Sequence, residues 1–204
     1  MQLTGNTALI LIDVQKGEVL PGEHGIPIMA GGEARHERTR AILEAARAAG
    51  IPPIFIQEVH KRSLVDFGRE LDGAEGVHCL EGDEETQLAE GIEPVGEEYL
   101  IRKRRYSAFF ATELELVLKS FEISTLVLLG SLTDVCVHYT FADAHQQDYH
   151  CRVVTDCVGG SSESAHGAAL EAMRYLQRDC LVESDEVLDA FAAVREGLPA
   201  EIHA

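Results

Sequence analysis

Near the N-terminus the longest apolar run, Ala8 to Ile12, stops at Asp13, too short for a membrane span or the core of a secretory signal. A soluble, cytoplasmic protein is expected. Positive charge is scarce: 17 Lys+Arg stand against 35 Asp+Glu, and the net charge of −18 repels phosphate backbones and anionic headgroups. Neither nucleic acid nor a membrane is therefore an expected partner. No C-x-x-C pair occurs among the five cysteines (Cys79, Cys136, Cys151, Cys157, Cys180), and their number is odd, which argues against both a disulfide framework and a structural zinc knuckle. Pro/Gly/Ser-rich linkers are missing as well. The 204 residues, 46% hydrophobic and 25% charged, thus read as one domain long enough to bury a full core.

What is present is an alternation of short β-rich runs with helical periods, the pattern of βαβ units and a parallel sheet covered on both faces. Strands are predicted at Thr7–Asp13, Ile51–Val59, Glu98–Lys103, Ser124–Gly130 and Cys151–Asp156, with a weak sixth near Leu181–Glu183. Between them, Ile42, Ala45, Ala46 and Ala49 form one apolar helix face, and Phe110, Leu114, Val117, Leu118 and Phe121 a cleaner one. A third, from Ala165 to Leu176, follows serines suited to capping it. The stretch His60–Val95 shows no sustained period; a long irregular excursion of this kind is where substrate-shaping residues are expected.

In a doubly wound sheet, ligands bind beyond the carboxyl ends of the strands. Asp13 ends the first predicted strand, Lys103 ends the third, and Cys136 follows the fourth at the start of a helix. A thiol there is expected to have a depressed pKa, through the helix macrodipole and a nearby ammonium. A neighbouring carboxylate can take its proton and return it to a leaving group. Singly, each residue also reads as a turn aspartate, a solvated lysine or a core cysteine; their joint placement favours an acyl-transfer site. The basic run Arg102–Arg105 lies in a strongly acidic chain and more plausibly supports this site than binds nucleic acid.

The stretches Leu9–Gln15 (LILIDVQ), Lys103–Phe109 (KRRYSAF) and Gly130–Val137 (GSLTDVCV) resemble the D-x-Q, K-x-x-x-S-A-F and G-x-x-T-D-x-C-V motifs of the isochorismatase-like cysteine hydrolases. The resemblance implies a three-layer α/β/α fold with a mostly parallel, doubly wound sheet, and one such domain over residues 1–204. It implies Cys136 as nucleophile, Asp13 as general base and Lys103 as the residue that orients and charges the pair. By the same likeness a cis peptide is expected at Leu132–Thr133, turning the N–H groups of Thr133 and Cys136 into an oxyanion hole. Relatives form dimers or tetramers, so a homodimer or homotetramer is expected.

The family is chemically mixed and includes nicotinamidases, ureido-amide hydrolases and ether-cleaving isochorismatases. Nicotinamidases hold a divalent metal through Asp-x-His and further histidines, whereas the corresponding stretch here reads Glu58-Val59-His60 and then Asp66; no metal and no cofactor are expected. The segment from His60 to Glu70 resembles that of members acting on ureido or biuret-type amides. Glu58, His60, Asp66 and Arg69 are accordingly expected to bind substrate, with Phe109 and Tyr139 as pocket walls. The expected activity is hydrolysis of a C–N bond in a small amide or ureido compound, biuret- or ureidoacrylate-like, through a thioester. The alternatives are a nicotinamidase, an isochorismatase-type hydrolase, or a catalytically silent binding domain.

Overall fold

The computed structural model describes residues 1–22 and 25–197. Six strands, β1 (Asn6–Ile12), β2 (Pro53–Glu58), β3 (Tyr99–Lys103), β4 (Ile123–Ser131), β5 (His150–Gly159) and β6 (Leu181–Val182), form one sheet in the order β3-β2-β1-β4-β5-β6. Every neighbouring pair is parallel. Side chains alternate across a strand, so β1 sends Ala8, Ile10 and Ile12 into one core and Leu9 and Leu11 into the other. Burial on both faces is why this strand is apolar throughout rather than at every second residue.

Helices α1 (Gly32–Ala48) and α5 (Ser184–Arg195) cover one face through Ile42, Leu43, Ala46, Val187 and Phe191. Helices α2 (Leu114–Ser120), α3 (His138–Gln146) and α4 (Glu163–Leu176) cover the other, with Leu114, Leu118, Phe141, Ala144, Ala169 and Met173 facing inward. This is the expected three-layer architecture, and the sheet is wholly parallel. No helix of the described residues is long and apolar enough to cross a membrane.

Several local expectations need correction. Phe110 and Phe121 lie outside α2 and are 61% and 42% exposed: Ala111 takes a positive φ that separates Phe110 from the helix, and Phe121 follows its last residue, Ser120. Helix α5 follows β6 and was not among the expected helices; Val187 and Phe191 anchor it, and it begins with a reciprocal capping box between Glu183 and Glu186. Cys136 sits in a π-helical turn, Thr133–Val137, that leads into α3. The cis peptide joins Ser131 to Leu132, one residue earlier than expected.

The chain reverses its direction of travel across the sheet between β1 and β4, and the crevice at such a switch point receives ligands. Here the two strand ends touch. Gly130 has φ +116°, and a Cβ at that position would lie 1.9 Å from the carbonyl oxygen of Ile12. Only glycine permits this approach, which brings the segment carrying Cys136 against Asp13.

Candidate active site

Lys103 ends β3 and is fully buried, yet its ammonium meets three partners above the sheet. Nζ lies 2.8 Å from Asp13 Oδ2, 2.7 Å from Glu58 Oε2 and 3.2 Å from Cys136 Sγ. Glu58 ends β2 and pairs in register with Lys103, so the long lysine stem crosses β2 to reach the β1 and β4 ends. Asp13, Glu58 and Cys136 each present an atom within 4.8 Å of the others. Both Asp13 oxygens are buried without a well-directed hydrogen bond, despite the nearby ammonium. Those lone pairs remain open to a proton, a water or a substrate N–H.

Electrostatics assign protonation states that differ from the sequence expectation. Burial pushes the Cys136 thiol well above its ordinary range; Lys103 opposes this, but Asp13 and Glu58 reinforce it. Burial is the largest of these influences and Lys103 does not overcome it, so the resting sulfur is a thiol rather than the thiolate expected at a helix start. Asp13 is raised to about 6, chiefly by burial, with Lys103 opposing and Glu58 adding. Burial would also raise Glu58, but Lys103, His60 and His78 outweigh it and hold Glu58 well below the usual carboxylate range. Lys103 remains charged despite its burial because Asp13, Cys136 and Glu58 surround it.

Behind Glu58 lies a second buried cluster. Its Oε1 is 3.1 Å from Nε2 of both His60 and His78, and His60 Nε2 is also 3.2 Å from Glu70 Oε2. His60 stacks on Phe67 with ring centroids 3.9 Å apart. Its pKa rises to about 9: burial opposes the shift, and hydrogen bonds to Glu58 and Glu70 prevail. His78 is raised as well, by Glu58 against its own burial.

Glu58, His60, Glu70 and His78 are all buried and bring ligand atoms within 4.8 Å of one another. The His78 Nδ1–H donates to the Gly76 carbonyl at 2.7 Å, which leaves Nε2 directed at the cluster, while the Glu70 oxygens and His60 Nδ1 have no well-directed hydrogen bond beyond the close approaches of His60 to Glu70 and, at 3.7 Å, to Asp66. Two carboxylates and two imidazoles, once the imidazoles give up their Nε2 protons, fit a divalent transition metal. Sequence spacing offered Asp66 in place of Glu70 and His78. Asp66 instead accepts from the Lys61 N–H and from Arg104, and it pins the loop from outside.

The pocket over Cys136 has walls of Ile26, Ile28, Tyr106, Leu132 and Val135, with Glu75 and His78 among several polar members. Of the residues expected to bind substrate, Glu58 lines it, but its carboxylate is held by Lys103 and the histidines. His60 lies beneath His78 and is fully buried. Arg69 does not reach the pocket: its side chain is 93% exposed and pairs with Asp72, because the short helical turn at Glu70–Asp72 directs it outward. Phe109 packs into the core beside Tyr149, and Tyr139, 53% exposed, touches the site only through Tyr106. Thr133 is buried with its hydroxyl 2.9 Å from His166 Nδ1.

Sequence reasoning gave no role to Gln15, Glu70, Glu75, His78 or Tyr106. Gln15 clamps the end of β2: its Nε2 donates to the carbonyls of Glu58 and Thr86, and its Oε1 accepts the Glu58 N–H. Its place in the D-x-Q motif was the available signal. Glu70, Glu75 and His78 sit in the aperiodic excursion, where no local pattern distinguishes a site residue from a solvated one.

The family model for the Isochorismatase domain matches residues 7–183. An Arabidopsis thaliana protein named a probable inactive nicotinamidase is 31% identical over 84% of this chain and 89% of its own length. A ureidoacrylate amidohydrolase, RutB, of Methylobacterium radiotolerans is 30% identical over 80% of this chain and 71% of its own. Among solved structures, an isochorismatase family protein from Desulfovibrio vulgaris superposes with a TM-score of 0.79 at 26% identity, covering 92% of this chain and 98% of that one. The N-carbamoylsarcosine amidase of Thermoplasma acidophilum gives 0.73 at 26% identity, covering 88% and 97%. With its motifs in order, its sheet wholly parallel and the family model spanning most of its length, the chain belongs to the isochorismatase-like hydrolase family.

Proposed function

We propose that this protein is a cysteine amidohydrolase that cleaves a C–N bond of a small amide or ureido compound through a thioester on Cys136. The observation that carries the reading is the single buried ammonium of Lys103 within 3.2 Å of Cys136 Sγ and 2.8 Å of Asp13, at the floor of a pocket. Cys136 is a thiol at rest, so its proton passes to Asp13 as sulfur attacks the carbonyl carbon. Asp13, raised to about 6, then protonates the departing nitrogen. In the second half-reaction it takes a proton from water, whose oxygen attacks the thioester; the acid is released and Asp13 returns that proton to the departing sulfur, restoring the thiol. Backbone N–H groups of Thr133 and Cys136, in the turn at the pocket floor, are assigned to the oxyanion.

His60, His78, Glu70 and Glu58 would hold a divalent metal, which would supply Lewis acidity next to the pocket. None of the proton transfers above depends on it. A silent domain is the rival suggested by the name of the Arabidopsis relative. Against it stands the cost of burying a lysine and two acids at one point, which a binding scaffold has no need to bear.

Ammonia release across a panel of small amides and ureides tests the reading, with Cys136→Ala and Cys136→Ser as controls. Turnover in the native protein, its loss in both variants, and an acyl adduct located at Cys136 by mass spectrometry are the expected results. Hydrolysis that survives in Cys136→Ala would end the covalent mechanism.

A further inference from the structure

We infer that the pocket selects uncharged or cationic amides and rejects carboxylated ones, and that Glu75 sets this preference. The inference rests on the amidohydrolase reading and narrows its substrate class. Asp13, Glu18, Glu58, Glu75 and Glu85 line the cavity, and among the described residues no lysine or arginine lines it. Most of these acids already have identifiable partners. Lys103 serves Asp13 and Glu58 from beneath, and Glu18 is held by Arg35 at 2.8 Å, His36 at 3.1 Å and the Ser131 hydroxyl at 3.1 Å.

Glu75 differs. It lines the pocket on the irregular excursion, half-buried, and makes no hydrogen bond or ion pair with any described residue. Its carboxyl is raised by burial, with Glu58 and Glu70 adding to the shift and His78 opposing it. An acceptor in this state gains from a ligand N–H or a positive charge and loses from a second carboxylate. The remaining lining includes Gln15, Tyr106, Ser131 and His78 but no guanidinium fork for a substrate carboxylate, and both nitrogens of His78 are already taken up by Glu58 and the Gly76 carbonyl. Arg69, the cation that sequence reasoning assigned to substrate binding, points into solvent. Biuret-like ureides meet these conditions, whereas a ureido acid carrying a carboxylate does not.

Two measurements separate the inference from the reading beneath it. The first compares the alkylation rates of Cys136 by iodoacetate and by iodoacetamide, at pH 8 and about 0.15 M salt, where exposed charges beyond about 8 Å are screened. Relative to the same ratio for N-acetylcysteine, the iodoacetate rate at Cys136 is expected to be suppressed about tenfold or more, as a like charge in a half-buried pocket requires. Glu75→Gln should restore most of that loss, and Asp179→Asn, an exposed change just before β6 at the far end of the sheet, should restore none. The second measures kcat/KM for N-carbamoylglycine, its amide and 2-aminoethylurea, with the carboxylate expected to be poorest by about tenfold or more. A free-thiol alkylation ratio, a ratio unmoved by Glu75→Gln, or preferred hydrolysis of the carboxylate would overturn the inference, as would a Cys136 that neither reagent reaches. Suppressed iodoacetate without hydrolysis of any compound would remove the amidohydrolase reading and leave the charge preference standing.

Discussion

Lys103 Nζ lies closer to Glu58 Oε2, at 2.7 Å, than to the Cys136 sulfur at 3.2 Å. The lysine is thus held first by a carboxylate that the sequence pointed to as a substrate ligand. Its positive charge is available to the thiol only because Glu58 and Asp13 together keep it protonated in a buried site.

Removing that charge should be costly to the fold as well as to the reaction. Lys103→Met leaves Asp13 and Glu58 buried without their shared cation, and loss of one partner from a buried ion pair costs about 3–5 kcal/mol. Urea unfolding should show the loss at neutral pH. It should shrink as the pH falls and the two acids take up protons, a recovery that a simple packing defect would not show.

The rate of amide hydrolysis should fall on the acid side with an apparent pKa of about 6, the value to which burial raises Asp13. The sign follows from its role: Asp13 must be ionised to accept the thiol proton, so activity is lost as the pH drops through that value and gained above it. An ordinary exposed aspartate would place the limb near 4. A kcat/KM profile from pH 4 to 8 distinguishes the two.

Arg69→Ala is expected to leave kcat/KM within about twofold of the parent, because an exposed i,i+3 pair with Asp72 contributes little and lies away from the pocket. Glu58→Gln should instead lower kcat sharply with a smaller change in KM, since it loosens Lys103 rather than a substrate contact. Steady-state kinetics of the two variants decide between a binding loop and a charge relay at this position.

Metal uptake should release protons. Without an ion, Glu58 and Glu70 face two histidines whose pKa values are raised, His60 to about 9, so a divalent ion must displace imidazole protons to bind. Zinc titration by calorimetry in buffers of different ionisation enthalpy should report one to two protons released at pH 7, with affinity about tenfold or more lower at pH 6. His78→Ala should abolish both effects.

Much of this was legible in the linear chain. Apolar runs buried on both faces announced a parallel sheet, and a parallel sheet places its strand ends on one side, so Asp13, Lys103 and Cys136 were bound to share an edge. The gathering of Glu58, Glu70, Glu75 and His78 was not legible, because it depends on how an aperiodic stretch folds back over the sheet. Hydrophobic period reports burial of apolar surface and is silent where polar side chains are buried in pairs. Side-chain direction and ionisation belong to tertiary structure for the same reason. One helical turn sends Arg69 outward and Glu70 inward, and burial, reinforced by Asp13 and Glu58, outweighs position at a helix start and keeps Cys136 a thiol.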